Sequence, residues 1–232
     1  RPEINSTTEQ TNNYPAALLT RPLKLENGLA LKSIMQIKHI MDIQGTMTIN
    51  KPITIIGTDG TVLDAENISR IFTIADNIDN VNLNNITFIN GFVENGDGGA
   101  IYFSTTTRSA TVTNCNFTGN TANIEGGAVY FANSGDVTNC NFADNTATFG
   151  GAVYFLNTGN VTNCNFVNNS ATGEGSWGGA IRMYSGTVSN CNFTDNTATY
   201  GGAIRMSSGT VSNCNFTGNT ATANGGAVYF YS

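Results

Sequence analysis

Six residues able to touch a ligand recur at one place in a repeated phrase. Directly after a Gly-Gly-Ala-Val/Ile unit the chain places Tyr102, Tyr130, Tyr154, Arg182, Arg205 and Tyr229. Phenol rings offer a flat apolar face with a polar tip, and guanidinium forks meet carboxylates in the plane. The set therefore points to an exposed stripe that contacts sugars, with Arg182 and Arg205 meeting acidic groups. The competing reading is that Tyr and Arg stack on one another and shield a sheet face. Trp177, the only Trp, sits in the longest inserted segment, "TGEGSWGG", as either a packed anchor or a binding ring.

Other reactive groups are weaker candidates. Asp144 and Asp195 occupy a position that elsewhere reads Gly119, Asn168 and Gly218. Gly, Asn and Asp are the residues that accept positive φ, so these carboxylates are read as turn formers rather than acid–base catalysts. Glu94, Asp97, Glu125 and Glu174 precede Gly pairs in variable loops, where they form either an acidic rim or a solvated loop. The single His, His39, has no evident partner. Five cysteines, Cys115, Cys140, Cys164, Cys191 and Cys214, all fall at one repeat position, and no CxxC occurs. Ile86 stands where later copies have Cys, which marks an apolar site and buried thiols; disulfides between neighbouring copies are the alternative. No metal site and no cofactor is expected. Eight Asn-X-Ser/Thr sequons occur, of which the recurrent "NFT" gives Asn116, Asn192 and Asn215 as outward glycosylation candidates.

Composition narrows the partners. Only 11% of the 232 residues are charged and the net charge is −6, whereas an average globular chain has roughly 25% charged residues. A nucleic acid or an anionic membrane surface would want a basic face, so neither is expected as a partner. No run of about 18 apolar residues is present, so no helical membrane span is expected. The chain opens "RPEINSTTEQ", without Met or an apolar signal region, as expected of a processed product or a piece of a longer protein.

What positions the stripe is a repeat. Gly pairs begin at 98, 126, 150, 178, 201 and 225, at spacings of 28, 24, 28, 23 and 24 residues, and between them runs V-x-N-C-N-F-x-x-N-x-A, as in "VTNCNFTGNTA". Such a period signals a solenoid. Helical units need long segments of 3.6-residue periodicity, and none follows residue 45; short β-branched and aromatic runs broken by Asn and Gly remain. About 24 residues make one coil of three short strands, and coils stacked in parallel build an all-β, single-stranded parallel β-helix. Alternation sends Val129, Phe131, Val112, Cys115 and Phe117 inward and Tyr130 and Asn116 outward. The Asn columns at 114, 139, 163, 190 and 213, and at 120, 145, 169, 196 and 219, are expected to bond amide to amide from coil to coil.

The N-terminal part differs. Residues 1–24 read as an extended segment, 25–45 as an N-terminal cap with a short helix over the open end, and 46–232 as the β-helix, entered through TMTI, ITII, VLDA and RIFTI.

GGA followed by an aliphatic residue, with FxxN as in "FTGN", "FADN" and "FVNN", resembles the repeats of chlamydial polymorphic outer-membrane proteins. The fuller "NCNFTGNTATANGGAVYF", and the lead-in "INKPITIIGTDGTVLDA", resemble the adhesin-like proteins of methanogenic archaea. The resemblance covers roughly residues 45 to 232. It implies a right-handed β-helix on a secreted or cell-surface protein, with adhesion as its usual assignment.

Three functions compete. The first is a non-enzymatic extracellular adhesin or stalk module that shows loops and the Tyr/Arg stripe to surface glycans or another cell's envelope. The second is a filament subunit that joins itself head to tail through open coil ends. The third is a polysaccharide lyase or hydrolase, which needs clustered carboxylates.

Overall fold

A computed structural model of the chain describes residues 33–37, 40–42, 45–58 and 60–231. The extended segment expected at 1–24 lies outside these residues, as does His39.

One coil shows how sequence becomes architecture. From Gly126 the chain runs through strands Val129–Phe131, Gly135–Thr138, Asn141–Ala143 and Thr146–Ala147 before the next Gly pair. Each strand pairs in parallel with its equivalents one coil away and in register: Val129 lies opposite Ile101 and Val153, and Phe142 opposite Phe117 and Phe166. The third strand position stacks into an eight-stranded sheet and the fourth into a six-stranded sheet. The first two positions share one sheet, because Val153–Thr162 and Ile181–Ser189 each run through both. The result is an all-β parallel solenoid of about seven turns.

Asn and Asp make the corners. Asn114, Asn139, Asn163, Asn190 and Asn213 all have φ between 52° and 55°, a left-handed conformation that short polar side chains tolerate. Asp144 and Asp195, at φ 57° and 55°, form the next corner, where Gly119 and Gly218 also have positive φ. These two carboxylates are exposed turn residues. The Gly pair solves a different problem. Gly150 has φ 65°, and a Cβ on Gly151 would lie 2.1 Å from the carbonyl oxygen of Gly179 in the next coil. Only a bare Cα lets the coils close to that distance.

The interior is solid. Phe88, Phe117, Phe142, Phe166, Phe193 and Phe216 form one column with ring centroids 4.8–5.0 Å apart. Phe103, Phe131 and Phe155 form a second, continued by Met183 and Met206 at the same register. Burying each such ring contributes about 1.5–3 kcal/mol. The five cysteines are free thiols beside these columns, and only Cys214 is not fully buried. Burial first, and then the neighbouring thiols, push the Cys140 thiol well above its ordinary value.

A polar column runs through the same interior. Asn120, Asn145, Asn169 and Asn196 are wholly buried, and each Nδ2 donates to the Oδ1 of the next coil's Asn at 2.9–3.0 Å. The same Nδ2 atoms donate to the carbonyls of Phe88, Phe117, Phe142 and Phe166. Every amide is thereby satisfied out of water, the condition for burying it at all. The other expected column is only partly bonded: Asn139 donates to Asn114, and Asn114 to Asn84.

The short helix expected within 25–45 is not what the described residues form. Ser33–Ile37 and Ile40–Asp42 are strands that pair in parallel with Ile53–Gly57 and Val62–Asp64. The N–H and C=O rows of those sheet edges are better met by two more strands than by a helix lying across them. The expected entry strands are present as Met47–Ile49, Ile53–Gly57, Val62–Asp64 and Phe72–Ile74.

Candidate binding stripe

The six stripe residues lie side by side on the outer face of the first sheet. Register pairs Tyr102 with Tyr130, Tyr130 with Tyr154, Tyr154 with Arg182, Arg182 with Arg205, and Arg205 with Tyr229. Tyr102 stacks on Tyr130 at 5.3 Å and Tyr130 on Tyr154 at 5.4 Å. The Arg182 guanidinium sits 4.7 Å over the Tyr154 ring, and Arg205 sits 4.3 Å over Trp177 and 4.9 Å over Tyr231. Three stacked rings, two guanidinium groups and a last ring thus follow one another as a continuous ladder, each cation over a negative ring face.

The stripe is not uniformly exposed, contrary to the alternation argument. Tyr130, Tyr154 and Arg205 are only 6%, 4% and 5% exposed, whereas Tyr102, Arg182 and Tyr229 are half-buried. The residue before each Gly pair causes the difference. That column reads Asp97, Glu125, Phe149, Trp177, Tyr200 and Asn224, and its backbone bridges from Glu125 to Phe149, Trp177 and Tyr200. The corner it forms leans its side chains over the outward sheet face. Trp177 packs at 4.7 Å on Phe149 while remaining half-exposed, so it is both an anchor and an accessible ring. Three aromatic residues immediately before "GG" in successive copies were the sequence signal for this cover.

The same column brings in two carboxylates. Asp97 and Glu125 are half-buried beside the tyrosines, whereas Glu94 and Glu174 are exposed. Burial raises the Asp97 carboxyl above its ordinary value against the pull of Arg70. Burial, and then the Asp97 charge, raise Glu125, against the Tyr154 hydroxyl and the Arg182 charge. Burial also pushes the Tyr130 and Tyr154 phenols up, with Glu125 adding to the rise at Tyr130. The stripe is therefore acidic and phenolic beside Tyr102, Tyr130 and Tyr154, and cationic at Arg182 and Arg205.

Arg70 lies outside the repeat and carried no sequence signal, yet it ends the ladder at 5.2 Å over Tyr102. It donates through Nε to Gly98 O, through Nη1 to Thr73 Oγ1, and through Nη2 to Asp97 O. Arg182 and Arg205 differ. Arg182 Nε and Nη1 and Arg205 Nε are shielded from solvent without any acceptor.

On the third strand position, Asn116, Asn192 and Asn215 are exposed, the outward placement that strand alternation gives them. They stand in one outer amide column with Asn141 and Asn165, in which Asn192 donates to Asn165 at 2.8 Å and Asn215 to Asn192 at 2.9 Å. Among the described residues no group of three His, Cys, Asp or Glu gathers to hold a metal ion. No helix among them is long and apolar enough to cross a membrane.

In-register parallel strands around a filled core, with amide columns at the corners, define a parallel β-helix. The chain belongs to the family described as the right handed beta helix region, which matches residues 74–232. The coil is thus right-handed, and a fold of this kind is consistent with adhesive or structural roles while also occurring in enzymes. No curated protein and no solved structure matches the chain.

Proposed function

We propose that the chain is a non-enzymatic module of an extracellular, surface-attached adhesin-like protein, a rigid rod that presents its loops and the Tyr/Arg stripe to glycans or to another cell's envelope. The observation that carries this reading is the stripe itself. It extends over six coils, with half-exposed Tyr102, Arg182 and Tyr229 in one row with buried Tyr130, Tyr154 and Arg205, and half-exposed Trp177 against Arg205. A purely structural ladder would have its donors satisfied, as Arg70 has, and Arg182 and Arg205 do not. The kinship with methanogen adhesin-like and chlamydial repeat proteins, the use of the sequons, and an archaeal cell surface as its place belong to the same proposal. Glycan arrays and whole-cell adhesion with the purified chain test it. Capture of defined glycans without their cleavage supports the module, whereas binding to no glycan or cell sinks it, and cleavage products would make it an enzyme.

A head-to-tail filament is the second reading. The strands of the last described coil, Thr210–Ser212, Asn215–Thr217, Thr220–Asn224 and Val228–Phe230, each have a partner on one side only, and Phe230 and Tyr231 are 50% and 53% exposed. Such an edge accepts another in-register coil. Electron microscopy over a concentration series should show fibres if that coil comes from a second copy, and isolated rods if it does not.

A further inference from the structure

We infer that Arg182 and Arg205 together form a subsite for an oxyanion carried by a sugar, a carboxylate or a sulfate, at the cationic stretch of the stripe. The inference rests on the glycan-contact reading above and names the chemistry of that contact.

Register places the two guanidinium groups on adjacent coils, where like charges face each other. Their flat faces are already occupied: Arg182 by Tyr154, and Arg205 by Trp177 on one contact and Tyr231 on another. A guanidinium whose face is covered has only its edge left, and all its N–H donors point out along that edge. Among the described residues neither arginine side chain makes a hydrogen bond or an ion pair, and three of their nitrogens are shielded without an acceptor. Arg205 is 95% buried by its 5% exposure, so this unmet donor belongs to a built site and not to a solvated surface chain. Arg70 is the internal contrast. It too lies over a tyrosine, and all three of its nitrogens have protein acceptors.

The missing component is therefore an acceptor that lies in the guanidinium plane and carries negative charge. Planar or tetrahedral oxyanions meet both requirements, often through paired bonds. Glu125 is the protein's own carboxylate that feels the Arg182 charge, but it stands two coils away, beside Tyr130 and Tyr154. Trp177 at the rim, half-exposed between Phe149 and Arg205, offers its apolar ring edge to the sugar that carries the anion.

The test uses the whole chain with polygalacturonate, its fully methyl-esterified form, dextran sulfate and neutral dextran. Binding of an acidic polymer, with at least about tenfold weaker binding of the matched neutral polymer, is expected, and Arg182→Gln or Arg205→Gln should each remove about tenfold of the affinity. Preference for polygalacturonate assigns a carboxylate, and preference for dextran sulfate a sulfate. Arg182→Lys, which keeps the charge and loses the fork, should behave like Arg182→Gln, with strand content checked by circular dichroism. In ¹⁵N spectra, titrated sodium sulfate should move the Nε–H signals of Arg182 and Arg205 and leave that of Arg70, already bonded to Gly98, in place. Equal binding of acidic and neutral polymers, with unchanged Arg variants, would overturn the subsite and leave glycan contact standing. Binding to none of the polymers, with unmoved arginine signals, overturns the subsite; a glycan array then shows separately whether any sugar contact survives.

Discussion

Replacing Asn145 by Ala should be among the most damaging changes available at a polar residue in this chain. The Asn145 side chain makes four hydrogen bonds: Nδ2 donates to Phe117 O at 3.1 Å and Asn169 Oδ1 at 2.9 Å, while Oδ1 accepts from Asn120 N at 3.0 Å and Asn120 Nδ2 at 2.9 Å. Truncation does not leave all four partners stranded. Asn169 Oδ1 keeps the Asn145 backbone N–H, and Asn120 Nδ2 keeps Phe88 O. The backbone N–H of Asn120 has no such second acceptor, and it is wholly buried. Four bonds at about 0.5–1.5 kcal/mol each, plus one stranded donor at about 1–3 kcal/mol, suggest a loss on the order of 3–9 kcal/mol. Asn145→Asp should be at least as costly, because the carboxylate loses both donations and faces Asn169 Oδ1. The comparison is Asn141→Ala in the exposed column, whose Nδ2 donates to Asn116 and whose Oδ1 accepts from Asn165 in contact with water. That change should cost under about 1 kcal/mol. Urea unfolding followed by circular dichroism measures both, with hydrogen exchange reporting whether loss is local to the coils around 120 and 169. If the two substitutions cost the same, the buried column does not hold the coils together and the reasoning fails.

Gly151→Ala should prevent close stacking, since its Cβ would lie 2.1 Å from Gly179 O; Gly175→Ala meets no atom within 4 Å and should cost only about 1 kcal/mol for its φ of 71°. Thermal scans of the two variants check this, and equal losses would contradict the packing account. Asp97 and Glu125 have carboxyls raised in the folded state, so the folded chain binds more protons than the unfolded chain between the ordinary and the raised values. Stability from these groups is therefore greatest below the ordinary carboxylate range and is lost as pH rises through that window. Melting scans from pH 4 upward should show Glu125→Gln flattening this fall, and an unchanged slope would refute it. Cys214, the half-buried rung, should react with a thiol reagent in the native state, while Cys115, Cys140, Cys164 and Cys191 wait for unfolding; simultaneous reaction of all five would contradict their burial.

Columns were legible because repetition converts a one-dimensional spacing into a three-dimensional contact. Phe117 and Phe142 stand 25 residues apart in sequence and 4.8 Å apart as stacked rings, and no propensity scale is needed to see it. The buried thiols followed from a single substitution, Ile86 at the Cys position, and Ile86 is indeed in the core. Cover over the outer face was not legible from strand alternation, which assigns sides of a sheet and says nothing about what folds back across them. Tyr130 points away from the Phe131 core and is nevertheless buried, because Phe149 and its neighbours in the adjoining corner lie against it. Arg70 was invisible for a further reason: its partners Gly98, Thr73 and Asp97 belong to two different coils, and no repeat position contains it. In the 33–42 stretch, mixed apolar spacing suggested a helix, and the demands of two open sheet edges prevailed.

In-register stacking also has a mechanical consequence. The first and last described strands lie at opposite ends of the stack, so tension between them acts along the direction in which one coil is bonded to the next. Coils loaded in that way should peel off one at a time. A coil of about 24 residues, at roughly 3.4 Å per extended residue, gives up about 75 Å of contour once its own rung height of roughly 4.8 Å is subtracted. A rod of this kind lengthens many-fold before it parts, and each peeled coil takes up work that would otherwise load the coils still stacked.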